Sequence, residues 1–129
     1  MKRASLDGNQ AVGDPDAIVT VSPIVNIAGG ANGGGVFNSG SIEIDDSRFQ
    51  KNRVSGADGA DSSDSAFPGP AFAGNAFGGG LANYGVADVL RSDFRSNVAE
   101  SGDMGVGDFA TIGSGGAIYN DARLFVARN

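Results

Sequence analysis

Two groups of residues in this chain are of types that do chemistry. The first is the run GADGADSSD, which sets Asp58, Asp61 and Asp64 among glycines and serines. Carboxylate oxygens on glycine turns suit calcium, and a solvated acidic loop has the same composition. The run fits neither the EF-hand loop nor the calcium-roll nonapeptide. The second group is Asp45, Asp46, Asp88 and Asp93, close in sequence to Arg48, Arg91 and Arg95. Cleavage of a polysaccharide needs carboxylates clustered on one face, or a calcium ion beside a base. Here acids and bases alternate, which reads as a surface charge ladder whose pairs are each worth little when exposed. GVGDFA at 105–110 approaches a dinucleotide fingerprint, but no apolar strand precedes it and no helical pattern follows. The expectation is no catalytic residue and no cofactor, with calcium at Asp58, Asp61 and Asp64 as the one metal reading.

The composition narrows the rest. The chain has 129 residues, enough for one domain, with no Cys, no His and no Trp. Disulfides and thiolate chemistry are excluded, and so is imidazole, the commonest general base and transition-metal ligand. Nine basic against 15 acidic residues leave a net charge of −6, which argues against nucleic acid and anionic membranes as partners. No apolar run is long enough to insert in a membrane, and MKRASLDGNQ carries no secretory h-region. Glycine is in excess, at 22 residues, while Lys and Glu together number four and Leu four. Helix formers are scarce and turn formers abundant, so short strands joined by many turns are expected.

A repeat organises these residues. GGGVFNSGSIEIDDSRFQKN at 33–52 is matched by GGGLANYGVADVLRSDFRSN at 78–97. GGAIYNDARLFVARN at 115–129 opens a third copy, and ASLDGNQAVG at 4–13 supplies the late part of another. Aligned, the copies give two rows of asparagine: Asn9, Asn52 and Asn97, spaced 43 and 45, and Asn38, Asn83 and Asn120, spaced 45 and 37. They also give apolar rows: Leu6, Phe49 and Phe94; Val36, Leu81 and Ile118; and Ile44, Val89 and Val126. A constant motif with a variable spacer is the signature of a solenoid whose coils share a rigid part and differ in one loop. SIEIDDSRF alternates with a period of two, as a strand does. Stacked about 4.8 Å apart in a parallel solenoid, equal positions meet their own copies, so asparagines can bond along the axis. Asn-Ser-Gly at 38–40 and Asn-Tyr-Gly at 83–85 read as tight turns that tolerate positive φ.

The expected fold is all-β: a single β-solenoid domain over 1–129, a short parallel β-helix of about three coils with long loops leaving one corner. The spacers fall at about 11–32, 54–77 and 98–114. The first holds Ile18 to Ile27, apolar enough to form an extra strand or a cap. The second carries Phe67, Phe72 and Phe77 around Pro68 and Pro70 as a contact loop.

The pattern Gly-Gly-[Ala/Gly]-[Ile/Leu/Val] followed by Ser-x-Phe-x-x-Asn resembles the repeats of polymorphic outer-membrane proteins and of autotransporter-type surface proteins. It is carried by GGGVFN with SRFQKN, by GGGLAN with SDFRSN, and by GGAIYN, over about half the chain. The resemblance implies a right-handed β-helix of the pectin-lyase-like kind and a role in surface display, adhesion or assembly. A non-catalytic structural or adhesive protein is the function expected, extracellular or on a bacterial cell surface. Its expected partners are a host or matrix surface and itself, with one subunit's GGAIYNDARLFVARN joining the next subunit's ASLDGNQAVG head to tail in a filament. The alternative is a polysaccharide-binding or polysaccharide-cleaving module.

Overall fold

The computed structural model describes residues 1–13, 19–22, 25–59, 71–103 and 111–127. Among these there is no helix. The chain winds through three coils, each of which lays one short strand on each of five stacks, so five three-stranded parallel sheets form the wall. Going round a coil, the stacks are Ser5–Asp7, Arg48–Gln50 and Asp93–Arg95; Gln10–Val12, Arg53–Ser55 and Val98–Glu100; Ala31–Asn32, Ala76–Phe77 and Gly113–Ser114; Val36–Asn38, Leu81–Asn83 and Ile118–Asn120; and Ser41–Asp45, Val86–Leu90 and Arg123–Ala127. The protein is a parallel β-solenoid. The register is the one the repeat predicts: Leu6 on Phe49 on Phe94, Val36 on Leu81 on Ile118, and Ile44 on Val89 on Val126.

The alternation of side chains along each strand sends these rows inward. Ile44, Phe49, Leu81, Ala87 and Val89 form the main core, with Leu6, Val36, Phe94 and Ile118 packed on it from the outer coils. A smaller core of Ala31, Val54 and Ala76 lies under the second and third stacks. The Phe49 and Phe94 rings lie parallel, centroids 4.4 Å apart. Phe49 is fully buried, whereas Phe94, one coil further on, is only half-buried. Phe94→Ala is therefore expected to cost about 2–3 kcal/mol in a denaturant titration, below the roughly 3–5 of a fully buried ring.

Five corners close each coil, and they use three devices. Three corners place a residue in the left-handed region in every coil. Arg3, Asp46 and Arg91 (φ 51, 47 and 43°) make the first, Gly8, Lys51 and Ser96 (67, 53 and 52°) the second, and Gly33, Gly78 and Gly115 (68, 73 and 70°) the third. The first glycine of each Gly-Gly pair thus turns the chain, and its neighbours let coils approach. The fourth corner, at Asn38–Gly40 and Asn83–Gly85, does not use positive φ as the sequence predicted. The carboxamide closes it instead: the Gly40 amide donates to Asn38 Oδ1 (3.2 Å) and the Gly85 amide to Asn83 Oδ1 (3.3 Å).

The fifth corner is where the spacers leave and return. Here outgoing and incoming strands interleave. Ala57 N–H donates to Gly29 O (2.9 Å), Gly74 N–H to Ala57 O (2.7 Å), and Gly102 N–H to Gly74 O (3.0 Å). Four stretches of backbone share one ladder, and at its glycines there is no room for a side chain. A Cβ on Gly13 or Gly74 would sit 2.0 Å from Gly29 O, and one on Gly56 would sit 1.8 Å from Gly74 O. Beyond this neck, Val19–Ser22 and Val25–Ile27 pair antiparallel, and Val25–Ile27 also pairs parallel with Ala71–Phe72. The apolar first spacer thus supplies extra strands beside the coils and ties itself to the second spacer.

The coil takes in more of the chain than the spacer boundaries read from sequence allow. Residues 11–12, 31–32, 54–55, 76–77, 98–100 and 113–114 all lie on coil strands. These strands are two or three residues long and rich in Ala and Gly, too short and too small for alternation to show.

Candidate functional surface

The asparagine rows are part of the scaffold. Asn52 is fully buried and accepts from both the backbone N–H (3.1 Å) and the Nδ2 (2.9 Å) of Asn9. Its own N–H and Nδ2 donate to Asn97 Oδ1 (3.0 and 2.9 Å), and Nδ2 also reaches Leu6 O (3.0 Å). The second row runs Asn38 Nδ2 to Asn83 Oδ1 (2.6 Å) and Asn83 Nδ2 to Asn120 Oδ1 (2.7 Å). Ser47 and Ser92 make a shorter row, Ser47 N–H donating to Ser92 Oγ (3.1 Å). All three rows donate in one direction, from the lower-numbered coil to the higher.

Among the described residues the charged side chains pair rather than gather. Arg3 pairs with Asp46 (3.4 Å), Lys2 with Glu43 (3.4 Å), Arg91 with Asp45 and Arg53 with Glu100, each across neighbouring coils, while Arg95 pairs with Asp93 on its own strand (2.6 Å). Arg48 is exposed, and Asp88 lies level with Glu43 and Phe125 on the outside of its stack. Asp58 is exposed and its Oδ1 accepts from the Asp103 N–H (2.8 Å), while Asp61 and Asp64 lie outside the described residues. Among the described residues no three acidic side chains come together in a way that would hold a metal ion.

The structure instead assembles a group on the outer wall that the repeat alignment passes over. Phe37 and Tyr119 take the outward position between the inward aliphatic and the inward Asn of their strands, and Ala82 takes it in the middle coil. Tyr84 follows Asn83 at the corner, and Phe77 stands on the neighbouring stack level with Asn32 and Ser114. The rings make a chain: Phe37 to Tyr84 at 5.5 Å, Tyr84 to Tyr119 at 5.6 Å, Tyr119 to Phe77 at 4.6 Å, all tilted. Ala82 is fully buried although its strand points it outward, because this ring cluster stands around it. Phe37 stays 52% exposed. Phe77, read from sequence as part of a contact loop, is half-buried on the coil wall; Phe72 is half-buried at the second spacer's return, and Phe67 lies outside the described residues. The signal for Phe37 and Tyr119 was present: period-two parity puts an aromatic in V-F-N and I-Y-N on the outside.

The Tyr84 hydroxyl donates to Asn32 Oδ1 (2.8 Å). Burial in the ring cluster raises its pKa above the usual 10.0, and the Tyr119 phenol and the Asp121 carboxylate push the same way. Folding therefore favours the neutral phenol. That contribution to stability is fully present below the unfolded value and is lost as pH rises through the folded one. In Tyr119→Phe, where Tyr84 is the remaining phenol, tyrosinate absorbance is expected to rise later on alkaline titration of the folded chain than of the urea-unfolded chain. Coincident curves would contradict the burial of the ring.

Fold and ladders together define the class, a parallel β-solenoid with asparagine-lined corners. No family model, no curated protein and no solved structure matches the chain.

Proposed function

We propose that this solenoid is a non-catalytic structural or adhesive protein of the extracellular space or bacterial surface, which assembles head to tail with copies of itself. The observation that carries this reading is where the repeated residues go. Asn, Ser, Gly and Phe at fixed positions are consumed in joining coil to coil, and the variable sequence is sent out through a single neck. A scaffold that displays loops needs this division; an active site would need repeated or unique polar groups turned outward and clustered.

The one-way ladders support the assembly half of this reading. Asn97 presents its N–H and Nδ2 on the outer edge of the last coil, where Asn52 presents the same groups to Asn97. A further coil with Asn in register is accepted there, whether it belongs to the same chain or to a second copy. The wall edges are open backbone of the kind that pairs with another chain, and a head-to-tail contact of this type propagates.

The test is sedimentation and electron microscopy of the purified chain at rising concentration, beside an activity panel of acidic and neutral polysaccharides with and without calcium. Concentration-dependent rods and no turnover are expected. A monomer at every concentration would overturn the assembly, and turnover lost in Asp45→Asn would overturn the non-catalytic reading.

A further inference from the structure

We propose that the outer cluster of Phe37, Tyr84, Tyr119 and Phe77 is a binding platform for a neutral glycan. The proposal rests on the adhesive half of the function above and names its ligand class.

The four rings are not required by the wall. Equivalent outward positions in the other coils are Ala82 beside Phe37 and Tyr119, and Asn32 and Ser114 beside Phe77. The coil closes equally with small or polar residues there, so the aromatics are surplus to the fold. They also sit together, Phe37 exposed and the other three half-buried, where large apolar groups at a surface are normally scattered. The chain of rings crosses all three coils, in two nearly equal steps of 5.5 and 5.6 Å from Phe37 to Tyr119, and its most exposed member is Phe37.

The chemistry of the rim selects the ligand. Two phenol hydroxyls, the Asn32 carboxamide already engaged by Tyr84, and Asp121 near Tyr84 stand round the rings. Such a surface pairs an apolar face with hydrogen-bonding groups at its edge, the use to which partly wet tyrosines are put. A sugar ring is built the same way, with a face of C–H groups and a perimeter of hydroxyls. A row of rings on a straight wall accepts successive units of an extended chain. Anionic polymers are disfavoured by the net charge of −6 and by Asp121. These observations point to an uncharged oligosaccharide lying along the solenoid axis.

The chain supplies its own reporter. Tyr84 and Tyr119 are its two tyrosines and it has no tryptophan, so tyrosine emission comes from this cluster alone. The purified chain would be titrated with β-glucan and N-acetylated chitin hexasaccharides, with polygalacturonate as the anionic comparison and phosphatidylcholine vesicles as the apolar one. A saturable change in tyrosine emission with at least one neutral hexasaccharide is expected, none with polygalacturonate, and at least tenfold weaker binding by Phe37→Ala. Since Phe37 is half-exposed, that variant is expected to keep its strand circular dichroism; if it does not, Phe37→Ser replaces it. No response to neutral sugars, an equal response in the variant, or a response to vesicles alone would each overturn the platform. Rods without sugar binding would sink this proposal and leave the scaffold reading standing.

Discussion

Gly56→Ala is expected to abolish the cooperative thermal transition of the chain, a loss of more than about 4 kcal/mol, although it adds a single methyl group. The added Cβ would lie 1.8 Å from Gly74 O and 2.4 Å from Gly74 C, and both are backbone atoms. A crowded side chain can change rotamer, and overpacking then costs about 1–3 kcal/mol. Here the crowded carbonyl is itself an acceptor, holding the Gly102 N–H at 3.0 Å, while Gly74 N–H is held by Ala57 O at 2.7 Å. To make room, the strands of the neck must part, and buried backbone groups lose their partners. Gly40→Ala is the control: nothing lies within 4 Å of its Cβ and its φ is ordinary. It is expected to be neutral or to stabilise by about 0.4–1 kcal/mol through the unfolded chain. Comparable melting of the two variants by circular dichroism would show that the neck is not the constraint described.

Asn52→Asp is expected to cost about 4–5 kcal/mol at neutral pH, and to recover part of that on acidification. The two side chains have the same shape, so packing is untouched. What changes is the Nδ2 group, which now serves Leu6 O and Asn97 Oδ1. An ionised carboxylate there turns lone pairs against lone pairs in a fully buried position and leaves the Leu6 carbonyl without its donor. Burial and the facing oxygens raise the folded pKa of the introduced carboxyl above its unfolded value. Its contribution is then most favourable below the unfolded value and is lost as pH rises through the folded one. Urea midpoints of the variant, measured relative to the parent, are therefore expected to improve as pH is lowered toward 4. A relative midpoint that does not move with pH would mean that the site is wet and the ladder is not buried.

The coil was legible because its residues are constrained from two directions. A position such as Phe49 must match its own strand and also the strands above and below, so the same residue class is written again 43 or 45 positions away. The asparagine rows could be read for the same reason. The strands at 31–32, 76–77 and 113–114 were missed because alanine and glycine leave no alternation to see. The positive-φ corners at Arg3, Asp46 and Arg91 were missed because Arg does not mark a left-handed backbone and a single Asp marks it only weakly. Such residues cost about 1–2 kcal/mol there, and only the surrounding wall holds them. The aromatic cluster was missed for a different reason: Phe37 and Tyr119 share a coil position but Ala82 interrupts their row, and Tyr84 and Phe77 come from other positions, so a search for matching positions does not join the four.

The coil wall, in which strand partners lie 37, 43 or 45 residues away, has a consequence for how the chain comes to be folded. Among the described residues no wall strand pairs within its own coil, the one internal pair being the spacer strands Val19–Ser22 and Val25–Ile27, so winding one coil orders about forty residues with little contact in return. The first pair of coils must meet the full closure entropy before any row is complete, whereas the third adds to a finished edge. Only the middle coil touches both others, and it carries the buried Phe49, Leu81 and Asn52. The rate-limiting event is then the meeting of the middle coil with either neighbour, and the remaining coil zips on afterwards.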